Sequence, residues 1–227
     1  MQKSISIITG ILCAAIIVVS SCAPARIVEP LSKGEHVAGF DVGGPMVTIS
    51  QVRTPIPLTS FTYGYGISGR AATWGSLHTT SLLFGLAHLE GGIQWQLTDP
   101  YKFTTWGVGA SASGQLVHDF AYNITSGWPV LSINAYKYLD RGGLMYFASE
   151  NWIDVFSEPV NSYVAVNNIT PALQIGYLSE KTDYQWQFAF SYIAPFNRND
   201  DLVVNYYNPI SRYGALGIYA GINWYLP

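Results

Sequence analysis

Alternation of apolar and polar residues is the feature that most restricts what this chain can fold into. In LFGLAHLEGGIQWQL, residues 83–97, the odd positions carry leucine, isoleucine, tryptophan or small residues. The even positions include the polar side chains of His88, Glu90, Gln94 and Gln96. The segments YQWQFAFSY, residues 184–192, and TTWGVGASASGQLV, residues 104–117, alternate in the same way. A period of two residues predicts β-strands with one apolar and one polar face.

The small number of charges separates this chain from soluble β-proteins. Charged residues make up 11% of the sequence, whereas soluble domains carry about 25%. A soluble sandwich also alternates, but its outer face bears charges. After Cys22, no apolar run reaches the roughly 18 residues of a transmembrane helix. These observations together predict an all-β fold, a transmembrane antiparallel up-and-down β-barrel, because every second residue then faces lipid and the backbone is paired between strands.

Ten segments alternate well enough to be predicted as strands, so we expect about 10 strands, with about 8 or about 12 as alternatives. Besides the three segments above, the predicted strands are residues 37–47, 60–67, 70–78, 130–139, 144–151, 169–178 and 213–225. The links between strands are alternately short and long, and barrels of this class place short turns in the periplasm and long loops outside. The expected external loops include NITSGWP, residues 123–129, and NRNDDLVVNYYNP, residues 197–209.

The first residues have the order of a secretory leader. Lys3 gives a positive start, residues 5–19 are almost wholly apolar, and Ser20-Ser21 are small. The stretch Val19-Ser20-Ser21-Cys22 resembles the lipobox of bacterial lipoproteins, a family in which the cysteine is acylated and becomes the first mature residue. The alternative is an ordinary signal peptide with a chance cysteine.

The lipobox resemblance implies a division of the chain and an address. The division is a lipoprotein signal peptide over 1–21, an acylated periplasmic tether over 22–36, and a β-barrel domain over 37–227. The address is the bacterial outer membrane, with a lipid anchor at Cys22 and a periplasmic N-terminus, since Ala23 is not the aspartate that resembles an inner-membrane retention signal. The closing YAGINWYLP also resembles the last strand of outer-membrane barrels, although it ends on Leu226-Pro227 rather than on an aromatic residue.

The same reasoning sets the expected partners. Outer-membrane lipid and, during insertion, the barrel-assembly machinery are the expected partners, while any small ligand or surface partner stays unidentified. A net charge of −3 argues against nucleic acid. The histidines are scattered singly, at His36, His78, His88 and His118, and the mature chain lacks a cysteine after residue 22, so we expect neither a metal nor a cofactor.

His88 and Glu90 are the sharpest candidate pair for chemistry. They lie two residues apart on one predicted strand and therefore share its lumenal face. This placement resembles the rim of outer-membrane proteases and lipid A deacylases, and it implies a general base with an orienting carboxylate, with Ser111 or Ser113 as the nucleophile. The competing interpretation is a lumenal polar network, because charges inside a narrow barrel must be paired. Its predicted members are His88, Glu90, Gln94, Ser111, Gln115, Glu150, Gln185 and Gln187, with Arg53, Arg70, His78 and Lys137 as possible partners of Glu150.

Three function classes therefore remain open. The favoured hypothesis is a non-enzymatic outer-membrane barrel lipoprotein with a structural, sensing or narrow-pore role, since open channels need about 16 strands. The alternatives are a ligand-binding or adhesive barrel that acts through its external loops, and a barrel enzyme on lipid or peptide that uses His88 and Glu90. A lipocalin-like periplasmic barrel held only by its lipid is a further alternative, because a spanning barrel does not need an acyl chain.

Overall fold

The computed structural model describes residues 27–49, 52–98, 106–140, 142–153, 169–198, 206–208, 210 and 212–226. The strands are β1 His36–Ile49, β2 Val52–Pro55, β3 Leu58–Ser68, β4 Ala71–His78, β5 Leu86–Thr98, β6 Gly107–Asp119, β7 Ile124–Tyr138, β8 Leu144–Ile153, β9 Ile169–Leu178, β10 Tyr184–Arg198 and β11 Tyr213–Leu226. One short helix, α1 Thr79–Leu82, follows β4. In the described part of the chain, no helix is long and apolar enough to cross a bilayer.

The strands form one closed antiparallel sheet. From β3 to β11 each strand pairs with its sequence neighbour, β3 also pairs with β1, and β11 returns to β1. The short strand β2 pairs only with the last residues of β1, from Met46 to Ile49. The other ten described strands form the barrel wall. His36, the first residue of β1, lies beside Leu226, the last residue of β11. The first and last residues of the barrel wall are therefore at the same end of the barrel. The predicted all-β barrel of about ten strands is confirmed.

The two faces of the strands follow the predicted alternation. Leu89 and Phe188 are about half exposed on the outside, at 47% and 50%, while His88 and Gln187 are buried inside, at 1% and 2%. The outward positions of β10 are all aromatic from Tyr184 to Tyr192. Apolar side chains cover the outside, as in a membrane barrel, while the inside carries polar side chains together with buried apolar ones.

Only some of the aromatic residues that lie near strand ends face outward. We expected an interfacial girdle of Trp74, Tyr101, Trp106, Tyr136, Tyr138, Trp152 and Trp224. Trp106 and Trp224 are exposed, but Trp74, Tyr136 and Trp152 are buried, and Tyr138 bonds inside the barrel, so these four assignments are wrong. Tyr101 lies outside the described residues. Exposed aromatics ring the end that carries the termini instead: Tyr65, Trp95, Trp106, Tyr177, Tyr184, Trp186 and Trp224.

One predicted external loop is largely strand. Residues 124–129 of NITSGWP belong to β7 and pair with β6, from Asp119 opposite Ile124 to Gly114 opposite Pro129. The connection is a tight turn over residues 120–123, with Asn123 in the left-handed region at φ 54°. Asparagine tolerates that conformation. The loop prediction was wrong because the glycine and proline in this segment sit within a paired strand.

Candidate functional site

Two tyrosines fill the half of the lumen nearer the termini, because Tyr136 lies opposite Gly107 and Tyr146 lies opposite Gly176, close to the ends of their strands. Tyr136 and Tyr146 are fully buried, at 0% exposure. Each ring lies over a glycine on the neighbouring strand, Gly107 and Gly176 respectively, where a Cβ atom would collide with the ring. Their hydroxyls accept hydrogen bonds from Gln96 Nε2 at 2.9 Å and Gln187 Nε2 at 3.0 Å. These rings occupy the space that a channel would need.

A polar cluster lies towards the other end of the lumen. The rings of His78 and His88 stack with centroids 3.8 Å apart and planes 8° from parallel. His78 Nε2 lies 3.6 Å from Glu90 Oε2, and His88 Nε2 donates to Gln115 Oε1 at 3.2 Å. The structure thus brings His88, Glu90 and Gln115 together, and it adds His78, which we predicted only as a possible partner of Glu150.

The hydrogen bonds of this cluster do not fit acyl transfer. A serine nucleophile must give its proton to an imidazole base, but Ser113 Oγ donates to Glu90 Oε1 at 3.3 Å. Ser111 Oγ shares a hydrogen bond with Ser132 Oγ at 2.5 Å. Burial of His88 and Glu90, at 1% and 9% exposure, also closes the cluster to a lipid or peptide substrate.

Glu150 belongs to a second group of side chains. It accepts from Trp152 Nε1 at 2.6 Å and from Gln174 Nε2 at 3.5 Å. We had expected Arg53, Arg70, His78 or Lys137 as its partner. The first three lie elsewhere: Arg53 contacts Tyr207, Arg70 is in the exposed β3–β4 turn, and His78 faces Glu90. Lys137 is exposed on the outward face of β7, which it shares with Ala135, whereas the neighbouring Tyr136 is buried.

The remaining predicted residues also face inward but belong to a third region, at the end that carries the termini. Gln185 Oε1 accepts from the Tyr225 hydroxyl at 2.9 Å. Gln94 Nε2 donates to the carbonyl of Val28 at 2.7 Å, and so does Asn134 Nδ2 at the same distance. The predicted network is therefore divided among local clusters. Cys22, the predicted lipidation site, lies outside the described residues.

Sequence reasoning missed that residues 27–35 enter the inner mouth of the barrel, the end that carries the termini. Val28 and Leu31 are buried, at 2% and 4% exposure. The Ile27 side chain reaches the wall at Gly64, where a Cβ would meet it. These residues are the second half of the segment that we predicted as an extended tether, and their apolar side chains were the available signal.

Further contacts fix this inner segment, residues 27–35, to the wall. The Tyr138 hydroxyl donates to the Glu29 carboxylate, and Lys181 Nζ pairs with Glu35 Oε1 at 2.6 Å. The Gly34 amide donates to the carbonyl of Gly66, 2.8 Å away, and the Gly66 amide donates to the carbonyl of Glu35, 2.9 Å away. The inner segment therefore closes one mouth through both backbone and side-chain bonds.

The opposite, outer mouth is covered by the hairpin of β1 and β2. Here β1 leaves β11 after Pro45 and pairs with β2 from Met46 onward. Val47 and Tyr206 are buried, at 4% and 8% exposure, and pair through an isolated bridge. They belong to the same buried apolar cluster as Val28, Tyr136 and Tyr146. One cluster therefore runs through the lumen from the inner segment to the hairpin.

The described part of the core contains few charged side chains that could bind an ion. Its buried acidic and histidine side chains in the described ranges are Asp41, His78, His88 and Glu90, and no lysine or arginine of those ranges is buried. Within those ranges there is also no group of three or more metal-ligating side chains in metal-binding geometry.

A closed antiparallel sheet with an apolar outer face is the architecture of transmembrane β-barrels. The chain has the architecture of an outer-membrane-type β-barrel. No protein-family model matches its sequence, and no curated protein matches it.

Several solved structures align with most of this chain at low identity. The NanC porin is 10% identical, with 85% of this chain and 100% of that chain covered and a TM-score of 0.42. The translocator domain of the autotransporter NalP from Neisseria meningitidis is 10% identical, with 98% and 96% covered and a TM-score of 0.43. An outer-membrane channel from Pseudomonas putida F1 is 8% identical, with 90% and 100% covered and a TM-score of 0.44.

Proposed function

We propose that this protein is a non-enzymatic outer-membrane barrel lipoprotein with a structural role, and that its lumen is a packed core rather than a pathway. The observation that carries this proposal is the single buried cluster that joins Val28 at the inner mouth to Val47 and Tyr206 at the outer mouth. Membrane pores keep water-filled lumens, and about ten strands enclose little more than their own side chains. A structural role does not require a pathway for solutes through the lumen.

The outward surface supports insertion into a bilayer. Its mid-height side chains include Phe61, Leu89, Leu131, Leu173 and Phe188, each 47–50% exposed. Exposed apolar area of this extent on a soluble protein would drive aggregation. In a membrane the same surface is solvated by lipid, and the ring of exposed tryptophans and tyrosines at the inner end lies where an interfacial girdle belongs.

The inner segment gives the proposed lipid on Cys22 a purpose. Ile27 follows Cys22 by five residues, and five extended residues span about 17 Å. That length reaches from the mouth of a narrow barrel to the surrounding inner leaflet. The lipid then fixes the start of the inner segment beside the mouth that the segment closes, which accounts for an acyl chain on a barrel that does not need one as an anchor.

Ion leak through reconstituted barrels tests the closed lumen. We expect vesicles that contain the folded protein to hold a potassium gradient as long as empty vesicles do, because Tyr136, Tyr146 and the two mouth segments fill the lumen. Insertion is verified in the same samples by faster gel migration before boiling, and an open porin serves as the positive control. Stepwise conductance from the inserted protein would overturn the proposal in favour of a narrow pore.

A further inference from the structure

Six large apolar side chains form an exposed patch at the outer end of the barrel. Leu82 ends α1 and Leu83 and Phe84 follow it before β5, and the three are 44%, 84% and 63% exposed. Phe120, Tyr122 and Ile124 lie at the tip of β6 and β7 and are 63%, 50% and 59% exposed. We call these six residues the outer apolar patch. Contiguous exposed apolar surface of this kind marks an interaction site.

The two halves of the patch are held side by side. The Phe120 amide donates to the carbonyl of Gly85 at 3.2 Å, and Leu86 pairs with Asp119 directly below. Asp119 Oδ1 accepts from the amides of Ala121 and Tyr122 at 2.8 and 3.2 Å, which fixes the turn that carries half of the patch. Local bonding therefore sets these side chains in one surface.

The chemistry of the patch fits an apolar environment. Asp119 is the only Asp, Glu, Lys or Arg in residues 79–85 and 118–126, and its carboxylate is already bonded to the turn. A phosphate headgroup bound by cations would need lysine or arginine side chains, which these segments do not contain. Their one histidine, His118, is hydrogen-bonded to Thr125 Oγ1 and packs edge-on against the Phe120 ring. Acyl chains and the boundary beneath the headgroups need no lysine or arginine.

The height of the patch matches the edge of the apolar band. Trp95 marks the inner girdle on β5, and Leu86 begins that strand nine residues away. At about 3.4 Å per residue and a tilt of about 40°, these residues are separated by roughly 23 Å along the barrel axis. A barrel's lipid-facing band is about 25 Å tall. The patch begins just beyond Leu86, and outward Leu89 and Leu116 connect it to the band below.

We infer that the outer apolar patch inserts into the outer leaflet of the membrane, so that the two connections which carry it lie in lipid rather than in water. The partner is the bilayer itself, at the boundary between acyl chains and headgroups. The patch thus forms the outer counterpart of the tryptophan and tyrosine ring at the inner mouth. This inference rests on the proposed membrane-spanning barrel.

Spin labels on single cysteines test the inference. The full chain has only Cys13 and Cys22, so Cys22→Ala behind an ordinary cleavable signal leaves a cysteine-free mature protein. Leu83→Cys and Phe120→Cys are labelled with a nitroxide in lipid nanodiscs, together with Phe188→Cys as a lipid-facing control and Lys33→Cys as an exposed inner control. Power saturation compares collisions with oxygen, which concentrates in lipid, and with a water-soluble nickel chelate.

The outcomes separate the patch from the barrel. We expect labels at positions 83 and 120 to favour oxygen over the nickel chelate at least several-fold relative to position 33. If position 188 reports lipid but positions 83 and 120 report water, the patch inference is wrong and the spanning barrel stands. If neither oxygen nor the nickel chelate reaches positions 83 and 120, another protein, such as a second copy of this chain, covers the patch. That result would also overturn the inference. If position 188 itself reports water, the proposed spanning barrel fails.

Discussion

Phe188→Arg is expected to destabilise the folded barrel in lipid by about 2–4 kcal/mol beyond the cost of Phe188→Ala, because it places a guanidinium near mid-height on the lipid face. Phe188 is 50% exposed on the outside of β10 and lies four residues above Tyr184 of the inner girdle. Four residues at the usual rise and tilt amount to about 10 Å, close to half of the apolar band. Reversible urea unfolding in vesicles measures the difference.

Tyr184→Arg compared with Tyr184→Ala is the matched control. Tyr184 is on the same face of the same strand and is equally exposed, at 49%, but at the interface an arginine costs only about 0–1 kcal/mol. The two positions differ in their depth along the barrel. A larger arginine cost at position 188 than at position 184 therefore reports the bilayer itself. Equal and small arginine costs at both positions would indicate a water-exposed surface, as in a periplasmic barrel held only by a lipid.

Tyr146→Ala is expected to cost about 3–5 kcal/mol, the range found when a buried aromatic side chain is truncated. Tyr146 is 0% exposed and its ring covers Gly176, so its removal leaves a cavity inside the lumen. It also removes the acceptor of the Gln187 amide. The same unfolding titration measures the loss, and Tyr146→Phe separates the hydroxyl, for which about 1 kcal/mol is expected.

Tyr177→Ala provides the comparison for this substitution. Tyr177 lies on the adjacent strand β9 but points outward, at 37% exposure, where lipid fills the space that truncation leaves. We expect less than half the loss seen for Tyr146→Ala. Similar losses of unfolding free energy at the two positions would show that the lumen is not a packed core. A gain in stability from Tyr146→Ala would show that the lumen is overpacked.

The barrel wall was predictable because its physics is local to each strand. Lipid on one side and the core on the other impose a period of two on every strand, so β9 has the predicted bounds, Ile169–Leu178. The facing of Gln185 and Gln187 followed from the same period. Distance from a strand end is a poorer guide, and it misplaced Trp74 and Trp152, which face inward.

The contents of the lumen were less predictable because they depend on contacts between distant segments. Val28 is hydrogen-bonded to Asn134, 106 residues away, and no periodicity in residues 27–35 indicates this contact. The stacking of His78 on His88 depends on how β4 and β5 are joined through α1. Glu150, for which cationic partners were predicted, accepts hydrogen bonds from an indole and an amide, and both donors were unpredictable from the alternation alone.

Membrane fractionation of the Cys22→Ala protein, secreted by an ordinary cleavable signal, tests most directly whether the strands span the membrane. Each fraction is run on gels with and without boiling, beside the wild type. We predict that the unlipidated protein stays in the outer membrane and migrates faster unboiled, because the apolar face of ten strands holds it there. Release of a folded protein into the soluble periplasm would contradict the account, since the lipid would then be the only anchor.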